Sequence, residues 1–337
     1  MVTGNRPWSG AARAGLRLPV PRPGRPSAVR PGDGFALPAV LWILVLVGAV
    51  TATFLAAAQD ERRAVANAVE STRARWAARA GLARAAAALD VRLADPAAPR
   101  RFRSAGDSLL PPLRMETNGL PVRVELLDSR ARLHLNLVGA PRLRRLLGAL
   151  GVDAARSERI AAAVLDWRDP DERPRRDGAE APAYAAAGLS ARPRNAPFAS
   201  VEELRGVRGV FPRLYRRLAP LVTVVGDGRI NVNGASAPVL ATLPVVDLRG
   251  ARALVRARTA GRTFSGAFDV ARALPTEQGR LLRDRMEAFE EAAAFGPRRA
   301  ELSVRAVPPA GGAGATLRGV VELEGGRSWR LVRIRER

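Results

Sequence analysis

Apolar and small residues run from Phe35 to Ala58 without a charged side chain. About 20 apolar residues are enough to cross the hydrocarbon core of a bilayer as a helix, so this segment predicts a membrane-spanning helix. From Gln59 to about Leu93 the chain has high helix propensity, contains no proline and mostly repeats its apolar positions at helical spacing. We therefore expect the helix to continue past the membrane as a stem, until Asp95-Pro96 ends it.

A period of two replaces the helical period after this stem. Val122–Leu127 and Arg132–Leu137 alternate around a turn at Asp128-Ser129-Arg130, which predicts a hairpin packed on the stem. The same alternation returns after Phe295 and predicts antiparallel strands, the last two joined by a turn at Gly325-Gly326. These C-terminal segments are Glu301–Val307, Thr316–Leu323 and Trp329–Ile334.

A helical block separates the two sets of strands. From Pro141 to about Phe295, short helical patterns interrupted by Gly and Pro predict a compact all-α module. Strands on both sides of this block indicate that it is inserted into a single α+β domain. The predicted organisation is a leader over 1–34, a transmembrane segment over 35–58, the stem helix and first strands over 59–137, an inserted α-helical domain over 138–295 and C-terminal strands over 296–337.

Charge adds an orientation to this picture. The chain of 337 residues has a formal charge of +23, and all 55 of its basic residues are arginines. Several arginines precede the apolar segment, so the positive-inside rule keeps residues 1–34 in the cytoplasm and sends the part after about residue 60 outward. The other arginines are spread along the chain, which is typical of compositional bias. We therefore expect no nucleic-acid partner from charge alone.

Catalytic chemistry finds little support in the sequence. Cysteine is absent, which removes thiol nucleophiles and disulfides from consideration. His134, the one histidine, lies in an alternating segment, and no Ser-His-Asp set or Gly-rich phosphate loop can be assembled. We expect a protein that is not an enzyme.

The start of the apolar segment carries a resemblance to a known family. Gly32-Asp33-Gly34 directly precedes Phe35, and an arginine-bearing leader that ends in glycine resembles the N-termini of type IV pilins and of type II secretion pseudopilins. The resemblance implies a prepilin peptidase that cuts after Gly34 and methylates Phe35. Ala39 stands where most members carry glutamate, and this departure is similar to the minor pseudopilins of the protein K family.

The order of the elements is a second resemblance to protein K. That family has a pilin-like fold, in which a long N-terminal helix packs on a small antiparallel sheet, interrupted by a large helical domain. The resemblance implies a subunit at the tip of the pseudopilus that starts its assembly together with other minor pseudopilins. It also implies a single-pass protein of the inner membrane, with the C-terminal region in the periplasm.

An acidic motif lies within the helical block. It reads Asp166-Trp167-Arg168-Asp169-Pro170-Asp171, followed by Gly178-Ala179-Glu180. Such carboxylates could form an oxygen-rich site suited to Ca²⁺, or a solvated loop with an aspartate capping a helix. The motif contains no companion His or Cys, which makes zinc unsuitable. Protein K carries a similar motif associated with calcium, so the resemblance implies Asp169, Asp171, Glu180 and Asp166 as ligands. Ala181 departs from it, because the family often has an acidic residue there.

Two segments, 195–210 and 230–245, resemble helix-hairpin-helix repeats. In DNA-binding versions, a Gly-apolar-Gly hairpin donates backbone N–H groups to a phosphate. The second hairpin here reads Pro244-Val245-Val246-Asp247, which lacks the glycines and puts an acid where a phosphate would approach. We interpret both repeats as structural, as they are in protein K. The alternative is a DNA-binding, competence-type pilin-like protein that uses them.

Overall fold

The computed structural model describes residues 36–94, 113–307, 314–324 and 328–336. Gly34, Phe35 and the predicted turn at Gly325-Gly326 lie outside the described residues. Helix α1 (Ala36–Ala94) includes a stretch long and apolar enough to cross a membrane, and it ends directly before Asp95 as predicted. The chain divides into two compact units, the first ending at Arg63 and the second beginning at Ala64. In the first unit, the large apolar side chains of α1 are exposed, as they would be on a surface that lipid covers.

In the second unit, one face of α1 packs closely on a sheet. Gly81 lies at the closest approach, where an added Cβ would be 2.7 Å from Cγ1 of Val122. A glycine inside a helix costs about 1 kcal/mol relative to alanine, and here the missing side chain lets the helix approach the sheet. Small residues at helical spacing complete the buried face. They are Ala74, Ala77, Ala78 and Ala85, together with Leu82.

The sheet is antiparallel, and its five strands follow the order β1-β2-β3-β4-β5. Alternate residues of the central strands face α1 and are buried, as the period of a strand requires. The strand bounds are β1 (Leu113–Thr117), β2 (Leu120–Asp128), β3 (Arg299–Ala306), β4 (Ala315–Glu324) and β5 (Ser328–Glu336).

The helical region lies between β2 and β3. Asp128, at the end of β2, pairs with Ala300 near the start of β3, so the chain leaves the sheet and returns to the neighbouring strand at the same place. The structure confirms the predicted α+β class, with a long helix on an antiparallel sheet and a helical block between strands. The helices of this block are α2 (Ala140–Ala149), α3 (Ala154–Arg168), α4 (Ala181–Ala186), α5 (Pro212–Leu218), α6 (Ala237–Leu240), α7 (Leu248–Thr259), α8 (Ala267–Ala273), α9 (Thr276–Asp284) and α10 (Met286–Ala292).

The predicted strand over Arg132–Leu137 is wrong as a hairpin partner of β2. After β2 the chain forms a 3₁₀ turn over Ser129–Ala131, and within the predicted segment the paired strand is Leu133–His134, in a short parallel pairing with Val222–Thr223. Leu133 and Leu135 are buried in the core of the helical region instead of the sheet. The alternation is real, but local periodicity does not reveal which core a side chain enters.

The hairpin partner of β2 is β1, a strand that the alternation of residue types does not predict. The two strands are joined at Asn118 and Gly119, whose φ angles are +53° and +73°. Positive φ at both central residues is the geometry of a type I′ hairpin turn, and Asn-Gly is its strongest sequence signal. That dipeptide is the feature of the sequence from which β1 could have been found.

Candidate functional site

Helix α3 positions the start of the acidic motif. Asp153 caps the helix by accepting a hydrogen bond from the backbone N of Arg156 at 2.9 Å. At the other end, Trp167 lies parallel to Phe198, with ring centroids 6.1 Å apart, and also contacts Tyr184 at 6.0 Å. These buried aromatic contacts fix the end of α3 and hold Asp166 in the protein interior.

The Asp166 carboxylate organises the loop that follows α3. Its side chain is fully buried and accepts hydrogen bonds from the backbone N of Ala179 at 2.8 Å and of Arg175 at 3.3 Å. An added Cβ on Gly178 would lie 1.9 Å from Asp166 Oδ2, so glycine is required at that position. The carboxylate therefore ties two distant points of the loop to the end of the helix.

Arg175 joins two of the predicted calcium ligands. Its Nη1 donates to Asp166 Oδ1 at 2.9 Å and also to Asp169 Oδ2. Asp169 keeps its other oxygen, Oδ1, buried without a hydrogen-bond partner in the described structure. The hydrogen bonds to Asp169 and then Asp166 raise the pKa of Arg175 above its ordinary value, so the guanidinium is a permanent cation in this cluster.

Glu180 is a buried carboxylate in the same cluster. The residue is 2% exposed, and neither of its carboxylate oxygens has a hydrogen-bond partner among the described residues. Burial, with the nearby negative charges of Asp166 and Asp169 next in importance, raises the pKa of Glu180 to about 7. A buried, unpaired carboxylate is costly unless a cation or a proton compensates it.

The structure thus brings Asp166, Asp169 and Glu180 into one cluster, while Asp171 lies exposed at its edge and accepts from the backbone N of Arg173. Within the described ranges, no three acidic or histidine side chains already converge in a geometry that would hold a metal ion. Arg175, which the motif does not predict, forms ion pairs with two of these carboxylates, Asp166 and Asp169.

The second hairpin repeat does not present a phosphate site. Gly209 in the first hairpin has φ +86°, and Val245 adopts φ +67° in the second, a strained value for a β-branched residue. Asp247 caps α7 by accepting a hydrogen bond from the backbone N of Gly250 at 2.7 Å. Its carboxylate occupies the helix N-terminus where a phosphate would have to bind, which argues against DNA recognition there.

The stem helix carries a second candidate site, an exposed apolar stripe. Val65, Val69 and Trp76 lie on the face of α1 opposite Ala78 and Gly81, which pack on the sheet. Trp76 is 57% exposed, and the guanidinium of Arg79 lies 5.2 Å from the centre of its ring. We call Val65, Val69 and Trp76 the stem stripe. Large apolar side chains aligned on an exposed helix face are typical of a surface that packs on another helix.

Comparisons with known proteins place these features in a family. The family model for protein K of the type II secretion system (T2SS) matches residues 125–227, which include the acidic motif. Type II secretion system protein K of Klebsiella pneumoniae is 31% identical over 252 residues, covering 67% of this chain and 75% of that protein. The Pseudomonas aeruginosa protein of the same name is 30% identical over 251 residues, covering 67% and 72%.

Two further similarities concern part of a relative and the fold alone. Protein K of Pectobacterium carotovorum subsp. carotovorum is 34% identical over 170 residues, and the match spans about half of that relative, 52% of its length. A chain in the crystal structure of the GspK-GspI-GspJ complex from enterotoxigenic Escherichia coli matches with a TM-score of 0.61 at 19% identity. The match covers 81% of this chain and 99% of that one, and it shows a shared fold.

The fold and the comparisons together define a pilin-like subunit with a helical domain inserted between two strands of its sheet. The chain belongs to the type II secretion system protein K family. Its role is that of a minor pseudopilin, a structural component of secretion, and the DNA-binding alternative is not favoured.

Proposed function

We propose that this minor pseudopilin caps the tip of the pseudopilus and starts its assembly by binding other minor pseudopilins through the stem stripe. The observation that carries the proposal is the exposed Trp76, aligned with Val65 and Val69 on the stem face that the sheet leaves open. The solved complex of the similar chain, named for GspK, GspI and GspJ, supports partners of the same class. The helical insertion is bulky and would leave no room for another subunit above it, which supports a position at the tip.

The proposal includes the location and processing of the chain. The apolar part of α1 anchors the protein in the inner membrane, and the charge of the N-terminal segment directs the rest into the periplasm. A prepilin peptidase cuts between Gly34 and Phe35 and methylates Phe35. Ala39, on α1, carries no carboxylate that could pair with the N-terminus of a neighbouring subunit, which agrees with a terminal position.

The proposed role is structural and not enzymatic. His134 is buried, and its Nδ1 accepts a hydrogen bond from the backbone N of Asn136 at 3.1 Å. Burial, followed by the nearby charge of Arg168, lowers the pKa of His134. These contacts give the imidazole a packing role.

Replacing Trp76 with glutamate tests the tip-complex proposal. A buried tryptophan at a helix interface contributes about 2 kcal/mol or more, so the exchange is expected to weaken the affinity for the partners by a factor of about 30 or more and to reduce recovery of the complex. The measurement is co-purification of the full chain in detergent with the other minor pseudopilins of its secretion system. Phe268→Glu is the matched control, because Phe268 is an aromatic residue of similar exposure, 59%, on α8. Equal recovery of complex with Trp76→Glu and with the wild type would contradict the proposal.

We also propose that the acidic cluster binds Ca²⁺ through Asp166, Asp169, Asp171 and Glu180. The two buried oxygens of Glu180 and Oδ1 of Asp169, which lack hydrogen-bond partners, support it. Carboxylate oxygens are the donors that calcium prefers. The bound ion would supply positive charge that offsets the buried carboxylates and ties the loop to the end of α3.

A calcium titration of thermal unfolding tests this site. A ligand that binds only the native state stabilises it and therefore raises its melting temperature. At a ligand concentration of a hundred times the dissociation constant, the stabilisation is about 2.7 kcal/mol. Glu180→Gln is expected to abolish most of the rise, whereas Glu172→Gln, a change of an exposed carboxylate in the same loop, should leave it intact. Absence of any rise in the wild-type full chain, and also in an Arg175→Gln variant that frees Asp166 and Asp169 from their ion pairs, would overturn the calcium site.

A further inference from the structure

The acidic cluster contains its own cation. Arg175 contacts Asp166 and Asp169 through the same nitrogen, Nη1, so one guanidinium lies at two of the carboxylates proposed to bind calcium. A metal ion and a guanidinium both bind the ionised form of a carboxylate. When they bind the same oxygens, they compete.

Glu180 independently indicates that this cluster accepts a cation. It is buried, both of its oxygens lack partners among the described residues, and it interacts electrostatically with Asp166 and Asp169. Among the described residues, the ion pairs of Arg175 are with Asp166 and Asp169. The guanidinium therefore compensates two carboxylates of the cluster and leaves the third uncompensated.

The side chain of Arg175 is free to leave. It is 44% exposed, and its contacts with the cluster are made by Nη1, while its backbone N separately donates to Asp166. Rotation of the side chain into solvent would release both carboxylates and would keep the backbone hydrogen bond that holds the loop. The movement breaks both ion pairs, and a bound calcium ion would then compensate the two carboxylates in place of the guanidinium.

We propose that Arg175 is a built-in competitor of calcium, a guanidinium that closes the acidic cluster when calcium is scarce and must swing out before the ion binds. This inference rests on the calcium site proposed above. The loop between α3 and α4 is held by Arg175 at low calcium and by the ion at high calcium. Because calcium must displace the guanidinium, the apparent affinity for calcium is lower than it would be for the carboxylates alone. The ion therefore replaces Arg175 at a higher calcium concentration.

The test compares calcium binding by the full chain in detergent, measured by isothermal titration calorimetry with CaCl₂ in calcium-depleted buffer. Arg175→Gln is expected to bind calcium about tenfold more tightly than the wild type, because the competing charge is gone. Arg173→Gln and Arg176→Gln are matched controls. Arg173 and Arg176 are exposed arginines of the same loop. Each substitution removes one positive charge and leaves the ion pairs of Arg175 with Asp166 and Asp169 in place.

Thermal unfolding of the same variants adds a second readout. In a chelator, Arg175→Gln should melt several degrees below the wild type, because buried Asp166 has lost its cation. Saturating calcium should restore most of this loss, so the calcium-dependent rise in melting temperature is larger in the variant than in the wild type. Arg175→Lys keeps a charge but has a single ammonium group, and it should give an intermediate calcium affinity.

The outcomes separate the two proposals. Tighter binding by Arg175→Gln, or binding by this variant when the wild type binds none, supports the competitor. Equal affinities of the wild type and Arg175→Gln would overturn the competitor and leave the calcium site standing. Absence of binding in the wild type and in every Arg175 variant would overturn both. An affinity gain shared by Arg173→Gln and Arg176→Gln would reduce the effect to general charge and overturn the specific role of Arg175.

Discussion

Asp166→Ala is expected to lower the free energy of unfolding by about 3–5 kcal/mol, the range for breaking a buried charge pair. The carboxylate is fully buried and accepts from Ala179, from the backbone of Arg175 and from the Arg175 guanidinium. Its removal leaves the buried N–H of Ala179 unsatisfied and deprives the loop of the group that ties Arg175 and Ala179 to the end of α3. Chemical unfolding of the full chain in detergent, followed by tryptophan fluorescence, measures the change in the presence of a chelator.

Two variants make this result specific. Asp171→Ala removes an exposed carboxylate from the same loop and should change the unfolding free energy by no more than about 0.5 kcal/mol. Asp166→Asn should fall between the two, since its amide oxygen can still accept from Ala179 while its NH₂ group faces Arg175. A loss below about 1 kcal/mol for Asp166→Ala would show that the loop does not depend on this carboxylate.

Strong local signals make much of the fold predictable from the sequence. The long helix ends directly before Asp95-Pro96, because a residue preceding proline is disfavoured in a helix. The three C-terminal strands also lie where alternation predicts them, within about two residues at each end. The strand over Arg132–Leu137 fails for a non-local reason. Its alternating leucines enter the helical core, and that core forms from residues far away in the sequence.

The acidic motif shows the same division between local and distant information. Asp166, Asp169 and Glu180 interact electrostatically in the structure, and their role as calcium ligands stays a prediction. Arg175 gives no local signal, because it is one of 55 arginines and its pairing depends on how the loop folds back. Trp76 is predicted as an apolar position of the stem, but periodicity alone does not say that its face of α1 points away from the sheet.

Asp128 is expected to make the stability of the protein depend on pH. This carboxylate lies where the chain leaves the sheet for the helical region, and it accepts from Asn231 Nδ2 at 2.7 Å and from the backbone N of Arg130 at 2.9 Å. Burial raises its pKa from 3.8 to about 6, although Asn231 and the charges of Arg130 and Arg132 act in the opposite direction.

The sign of the effect follows from where the proton is held. Between pH 3.8 and about 6, the native state keeps the proton on Asp128, while the unfolded state releases it. The unfolding free energy therefore falls as the pH rises through this window, by about 3 kcal/mol in total, and the term is constant above it. At neutral pH the buried, ionised Asp128 is a net cost to the fold.

Asp128→Asn isolates this contribution, because asparagine has nearly the same shape and does not titrate. The stability of the wild type relative to Asp128→Asn should fall by about 2.4 kcal/mol between pH 4 and pH 7, because part of the total has already been lost at pH 4. Chemical unfolding of both full chains in detergent measures this difference. Asp227→Asn is the control from the same junction. Burial would raise the pKa of Asp227, but its pairing with Arg130 outweighs that and lowers it, so the corresponding difference should change little above pH 4. A difference between the wild type and Asp128→Asn that stays constant with pH would mean that Asp128 is hydrated in the native protein.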